Sequence, residues 1–499
     1  VRGNSGPTRL PLNPDIRLCN RLEKIMVKGF EKWFTGPGSV RELLAIAFPM
    51  VISCACETFM TFTDRLFLSR LGPEYMNASM GGWLISFTLM SFFMGLIGFS
   101  TALVAQYLGS GRKNRCSVVV VQAFGIAIVS CALVLILLPL ANYLMDFFGI
   151  APEQLLLQKI YFNLVIYAAL LSLFRHVLSC FFSGIGRTRV IMVSALVAMV
   201  VNVIGNYILI FGKLGFPALG IRGAGYGTII GGFCGLLVMV FAYFSKSNRR
   251  EFRIFNCFKF DPESMGKLLR FGSPMGVEMF LNFIAFTGLI MLFHSQGLVV
   301  ASAITIVFNW DMVSYVPLIG LEIGMISISG RYMGAGKPDI VHRAAMSGLK
   351  VGWLYSSVVF MFFVLVPEVL VRVFSPEQET LLFSQVEPLA VTMLRMASLY
   401  VMIEAVIVIF IGALRGAGDT YWTMGASVIL HWMLLPIPLV VMNLLGYSVI
   451  VAWGCVIMVF MTFSLVFFLR YRGGKWRDLR VVHAPLEDML PPAGHLPGN

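Results

Sequence analysis

Twelve long apolar stretches follow one another along the chain, at roughly 43–69, 82–106, 117–140, 160–182, 190–211, 224–245, 272–296, 301–329, 349–371, 389–413, 421–445 and 449–470. A helix needs about 20 apolar residues to cross the hydrocarbon core of a bilayer. These stretches meet that length and run continuously apolar. Membrane-barrel strands would alternate apolar and polar positions over about ten residues. The pattern therefore predicts an all-α polytopic membrane protein of twelve transmembrane helices. The longest internal polar segment, 246–270, carries Lys and Arg among phenylalanines and reads as an interfacial amphipathic linker.

The pattern also repeats. AFPM at 47–50 in the first span answers GSPM at 272–275 in the seventh. QYLGSGRK at 106–113 answers RYMGAGKP at 331–338, and SGIGRT at 183–188 answers RGAGDT at 415–420. Pro49 and Pro274 are 225 apart, as are Tyr107 and Tyr332. An even number of spans per half keeps the same orientation in both, so the halves should be related by an axis along the membrane normal. The expected architecture is two pseudo-symmetric six-helix lobes. Its parts are a cytoplasmic tail (1–40), an N-lobe (41–245), a cytoplasmic linker (246–270), a C-lobe (271–470) and a second cytoplasmic tail (471–499).

Composition agrees with a lipid environment. Of the 499 residues 58% are hydrophobic and 13% charged, about half the charge of an ordinary soluble domain. The formal charge is +13, which in a membrane protein marks loop orientation before it suggests nucleic acid. Eight of the 38 Lys and Arg fall within spans or on one side: Arg65, Arg70, Lys159, Arg175, Lys213, Arg222, Arg372 and Arg395. The other thirty lie in the segments that share a side with the N-terminus, which places both termini in the cytoplasm. The first 40 residues are basic and lack the apolar core of a signal peptide. The nine cysteines form no CxxC pair and mostly lie in apolar runs, so neither a disulfide nor a metal site is expected.

Charges left inside spans are the candidates for function, because each costs about 2.5–3.5 kcal/mol at the bilayer centre on insertion scales. Glu57 and Asp64 are seven apart and share a face of the first span. Asn202 and Asn206, one turn apart in the fifth span, and Thr228 in the sixth offer neutral oxygens. Glu278 in the seventh and Glu404 in the tenth lie at matching depths, and Asp311 and Glu322 lie eleven apart on nearly one face of the eighth. His431 could carry a proton near neutral pH, although a lone membrane histidine is more often a packing residue. Arg175, His176 and Arg395 read as structural counter-ions. Pro49 and Pro274 remove helix hydrogen bonds at equivalent places and are candidate hinges. The glycine-rich turns do not fit GxxxxGK[ST] and do not join a strand to a helix, so they are not phosphate loops.

Taken in order, AFPM and FTDRLFLSRLG of the first span, ALVAQYLGSG, SGIGRTR, NVIGNYILIFG running into GIRGAGYGT, and IGALRGAGDT resemble the multidrug and toxic compound extrusion (MATE) family over about residues 40–470. The resemblance implies two six-helix lobes around a central cleft. It also implies export of cationic or amphipathic small molecules in exchange for H+ or Na+ by alternating access. It places Asp64 at the family's first-span aspartate, Asn202, Asn206 and Thr228 around it, and Glu404 at a tenth-span aspartate eleven residues before Arg415. A seventh-span acid of some members would fall at Asn282; here an acid stands one turn earlier, at Glu278.

The resulting expectation is a secondary antiporter that is not an enzyme. It would use no cofactor, only a coupling ion (H+ or Na+), and would meet a small-molecule substrate and the lipid bilayer. No nucleic acid and no ATPase subunit are implied, and the protein is expected as a monomer in the inner (plasma) membrane. A lipid-linked oligosaccharide or peptidoglycan-precursor flippase is the alternative; it usually needs a cationic cavity, for which the arginines are few. A polytopic transferase is the second alternative; it would need a polar catalytic loop, and the outer loops are short.

Overall fold

A computed structural model of the protein describes residues 34–147, 152–375, 381–479 and 481–482. Most of both expected terminal tails lies outside these residues. Among the described residues twelve helices are long and apolar enough to cross a membrane. They are α1 (Val40–Ser69), α2 (Glu74–Gly109), α3 (Lys113–Met145), α4 (Pro152–Gly184), α5 (Arg189–Phe211) and α6 (Ile221–Tyr243) in the first half. The second half holds α7 (Pro262–His294), α8 (Leu298–Gly334), α9 (Pro338–Leu365), α10 (Leu381–Ala417), α11 (Thr420–Leu444) and α12 (Val449–Arg472).

The helix ends obey local rules. Ser39 accepts a hydrogen bond from the Glu42 amide at 3.4 Å, and the Glu42 carboxylate reaches back to the Gly38 amide at 2.7 Å. This reciprocal arrangement satisfies amides that have no partner inside the helix. At the start of α7, Asp261 accepts from the Ser264 amide at 3.0 Å, with Pro262 in the first helical position. The expected linker is therefore shorter than 246–270, since its last nine residues already belong to α7. Helix α9 also ends early, at Leu365. Pro367 has no amide hydrogen to continue the ladder and instead opens a short helix, Pro367–Arg372. Helix α11 is irregular after Met433, where Pro436 and Pro438 interrupt the same ladder. Several helices outrun their apolar stretch, because a helix continues past the hydrocarbon wherever its polar end can be solvated. Pro49 and Pro274 lie buried within α1 and α7, which run on through them.

The packing carries the internal repeat. Helix α1 packs on α5 and α2 on α4; in the second half α7 packs on α11 and α8 on α10. Between the halves α1 lies against α8 and α2 against α7. Exchanging the halves maps one pair onto the other, as a pseudo-two-fold requires.

The inter-lobe hydrogen bonds gather at the face where α1 starts and α2 ends. Gln106 Nε2 donates to the Gly416 carbonyl at 2.9 Å, and Ser327 Oγ to the Ser183 carbonyl at 2.6 Å. Tyr332 Oη donates to the Glu42 carboxylate at 2.9 Å, with Arg331 3.6 Å from the same group. The ends of α2 and α8 cross so closely that a Cβ on Gly109 would overlap the Arg331 carbonyl, and one on Gly334 the Gln106 carbonyl. These two glycines are the equivalent positions of the repeat. Gly109→Leu should therefore wedge the lobes apart at this face. In a cysteine-free background, the distance between spin labels at Arg112 and Lys337 should lengthen by several ångströms; an unchanged distance would show that the crossing tolerates a side chain.

Candidate functional site

Each lobe buries polar side chains in clusters. In the N-lobe the cluster is built from α1, α5 and α6. Asp64 is buried near the far end of α1, away from the sealed face. Asn206 Nδ2 donates to Asp64 Oδ1, and Thr228 Oγ1 donates to Asp64 Oδ2 at 3.3 Å. Asn206 also reaches Asn202 Oδ1 at 3.4 Å, and Asn202 Nδ2 reaches Thr228 Oγ1 at 3.4 Å. The Asn206 side-chain oxygen is buried without a hydrogen-bond partner. One carboxylate and several neutral oxygens thus converge in a place closed to solvent. Such a set suits either a hard cation or a proton held on the carboxyl.

Backbone proximity makes this cluster possible. Helices α5 and α6 approach along Gly223, Gly227, Gly231 and Gly235, one glycine per turn on a single face. A Cβ on Gly227 would collide with the Asn206 side-chain oxygen, and one on Gly231 would lie 2.9 Å from Asn202 Cβ. The four-residue glycine spacing is plain in the sequence, and reading it would have pointed to the partner face of Asn202 and Asn206. Glu57 is not part of the cluster. It is half exposed and paired with Arg175 of α4 at 2.7 Å. Seven residues is close to two turns, but α1 meets different neighbours at the two depths. The Arg65 guanidinium lies 5.7 Å from the Trp83 ring centroid.

The C-lobe holds two groups. In the first, Arg415 of α10 binds Glu278 of α7 at 2.9 Å and also Glu322 of α8. In the second, Tyr400 Oη donates to Asp311 Oδ1 at 2.7 Å, and Asp311 and Glu404 are like-charged electrostatic neighbours. Glu404 is buried and its Oε2 has no hydrogen-bond partner. Glu278 and Glu404 are thus engaged by different groups: an arginine holds the first, and the second feels the charge of Asp311. Tyr400 stands one turn before Glu404, and Arg415 eleven residues after it, so all three share a face of α10. That spacing was the available signal for both.

Asn282 stands apart from these carboxylates. Its amide donates to Ser427 Oγ at 2.9 Å and its oxygen is buried without a partner. His431 hydrogen-bonds to the Ser427 carbonyl at 2.9 Å and meets the Phe463 ring edge-on, with centroids 4.7 Å apart. His176 contacts the Met94 carbonyl at 3.1 Å, and Arg395 pairs with Glu368 at 2.6 Å. No group of three or more His, Cys, Asp or Glu side chains suited to a metal ion occurs among the described residues.

A twelve-helix membrane protein with two interlocked halves and a buried polar cluster in each is the architecture of a transporter. The MatE family model matches residues 49–208 and 274–442, one segment in each half. The chain belongs to the MatE family. A probable multidrug resistance protein NorM of Thermotoga maritima is 26% identical over 456 residues, covering 89% of this chain and 94% of that protein. Multidrug resistance protein PmpM of Pseudomonas aeruginosa is 27% identical over 398 residues, covering 79% and 82%. Multidrug resistance protein MdtK of Yersinia pseudotuberculosis is 28% identical over 400 residues, covering 79% and 85%.

Solved structures agree in fold. A MOP superfamily transporter from Pyrococcus furiosus superposes with a TM-score of 0.81 at 18% identity, covering 90% of this chain and 98% of that one. A MATE transporter in complex with MaL6 gives 0.79 at 19% identity, covering 89% and 98%.

Proposed function

We propose that the protein is a secondary antiporter exporting cationic or amphipathic small molecules, drugs among them, in exchange for H+ or Na+. The observation that carries this reading is Asp64: a carboxylate buried among the oxygens of three helices, beside an unpartnered Asn206 oxygen. A charge so placed is costly unless a cation or proton occupies the site for part of the cycle. The names of the relatives support drugs as the substrate class, and the positive-inside count supports a plasma-membrane protein with both termini in the cytoplasm.

In this reading the sealed face of the bundle is cytoplasmic. Asp64, Asn202, Asn206 and Thr228 then form a coupling site toward the outside, where the ion arrives. Loading the site removes a charge that otherwise resists closure of the N-lobe, which favours switching. Pro49 and Pro274, one in each inter-lobe pair of helices, are the proposed bend points. Glu404 and Asp311 form a second acidic site in the C-lobe. Two carboxylates that feel each other's charge hold a shared proton or cation more readily than two separate negative charges.

The decisive experiment is substrate uptake into inside-out vesicles under an imposed proton gradient, an imposed sodium gradient, or neither. One of the gradients should drive accumulation of a cationic dye; if neither does for any compound, the antiporter reading fails. Glu404→Gln is expected to lower the driven rate by about 5- to 150-fold, the usual range of a coupling free energy. Dye binding without a gradient should survive. A Glu404→Gln protein with full driven transport would place coupling in the N-lobe alone.

A further inference from the structure

The segment between the two halves leaves α6 at Tyr243 and re-enters at Pro262. Both are ends of spanning helices on one face, so the segment lies at the boundary between membrane and water. It is fastened to the N-lobe from within. Ser117 Oγ donates to the Phe252 carbonyl at 3.1 Å, and Gln122 Nε2 to the Lys259 carbonyl at 2.8 Å. Phe252 is buried against Phe181, ring centroids 5.3 Å apart. The one acid between 244 and 260, Glu251, is used inward as well: it binds Lys113 at 2.9 Å and Arg187 at 2.6 Å. The hydrogen bond from Lys113 holds its carboxyl below the ordinary range, so it stays ionised and neutralised.

What remains outward has one sign and an apolar companion. Lys246, Arg250, Arg253 and Lys259 are exposed. Beside them Phe255, Phe258 and Phe260 are 61%, 61% and 72% exposed. Arg249 lies over the Phe255 ring at 5.7 Å. A merely solvated basic loop would account for the charges and not for three phenyl rings turned outward next to the bilayer. Aromatic rings sit well at the level of lipid headgroups, and clustered Lys and Arg there attract anionic lipid.

We propose that residues 244–260 form a docking surface for anionic phospholipid, with Phe255, Phe258 and Phe260 entering the headgroup–acyl boundary and Lys246, Arg250, Arg253 and Lys259 holding the phosphates. Because the segment is fastened to α3, to the end of α4 and to the turn that follows it, it would anchor the N-lobe to the leaflet while the C-lobe moves.

The test is Phe258→Trp in the full chain, reconstituted with phosphatidylcholine and phosphatidylglycerol, one of the two carrying brominated acyl chains at a time. Emission is read as the difference from the unaltered protein, which has eight tryptophans of its own. The added tryptophan should be quenched, and more strongly when phosphatidylglycerol carries the bromine. Neutralising Lys246, Arg250, Arg253 and Lys259 to glutamine should remove that excess, and salt should weaken it. Each basic contact is worth about fivefold in partitioning. Arg253→Gln alone, with the salt titration, serves if the quadruple variant does not fold. No quenching by either lipid would mean that water or another protein covers the surface. Equal quenching by both lipids, or an excess indifferent to salt and charge, would likewise overturn the proposal.

Discussion

Asp64→Asn should abolish ion-driven efflux while leaving a folded protein in the membrane. The two side chains have nearly the same shape; the asparagine oxygen can still accept from Asn206, and its NH2 group, in place of the second oxygen, can donate to the Thr228 hydroxyl oxygen. What disappears is the charge that an ion or proton neutralises, and with it the difference between loaded and unloaded states. A ligand shifts an equilibrium only through its differential affinity for the two states. The driven rate in proteoliposomes should therefore fall to the passive leak, a loss of about 5- to 150-fold for a coupling of ordinary size. Dye binding should become insensitive to the coupling ion. Full transport by Asp64→Asn and by Glu404→Gln would leave the coupling without either acid and defeat the assignment. Asn206→Asp is the informative companion, since a second carboxylate beside Asp64 should strengthen the site's demand for a cation or proton.

Arg415→Met should be the most damaging single change to stability in the C-lobe. Arg415 is the shared partner of Glu278, whose side chain is 2% exposed, and of Glu322, at 15%. Removing one member of a buried charge network costs about 3–5 kcal/mol, because the charges left behind lose their partner and do not regain water. The melting temperature in detergent should drop clearly. Adding Glu278→Gln and Glu322→Gln should recover most of the loss, since it removes the stranded charges. If the triple variant melts no higher than Arg415→Met, packing around the arginine, and not its charge, holds the three helices together.

Much of the architecture was legible from the chain alone. Apolar length located all twelve spans, because lipid leaves a helix no alternative way to satisfy its backbone. The repeated proline and glycine runs disclosed two lobes, and the structure pairs α1 with α8 and α2 with α7 as that symmetry requires. Helix ends were less legible. The apolar stretch marks only what lies in hydrocarbon, whereas Asp261 with Pro262 starts α7 inside the expected linker.

The polar sites divide in the same way. The resemblance placed Asn202, Asn206 and Thr228 around Asp64, and the structure brings the four together, with glycines of α6 letting α5 and α6 touch. Glu57 and Glu278 show the limit of spacing and depth. Both are acids in apolar spans, and both prove to be held by arginines, Arg175 and Arg415, on other helices.

The sequence by itself determined which residues enter the membrane, how many times the chain crosses, and that it does so as two related halves. Those properties follow from transfer free energy and periodicity, which are local and additive along the chain. Only the tertiary structure decided which buried acids are neutralised by arginine and which, like Asp64 and Glu404, are not. That distinction depends on side chains more than ninety positions apart meeting one another, and no local pattern records such a meeting.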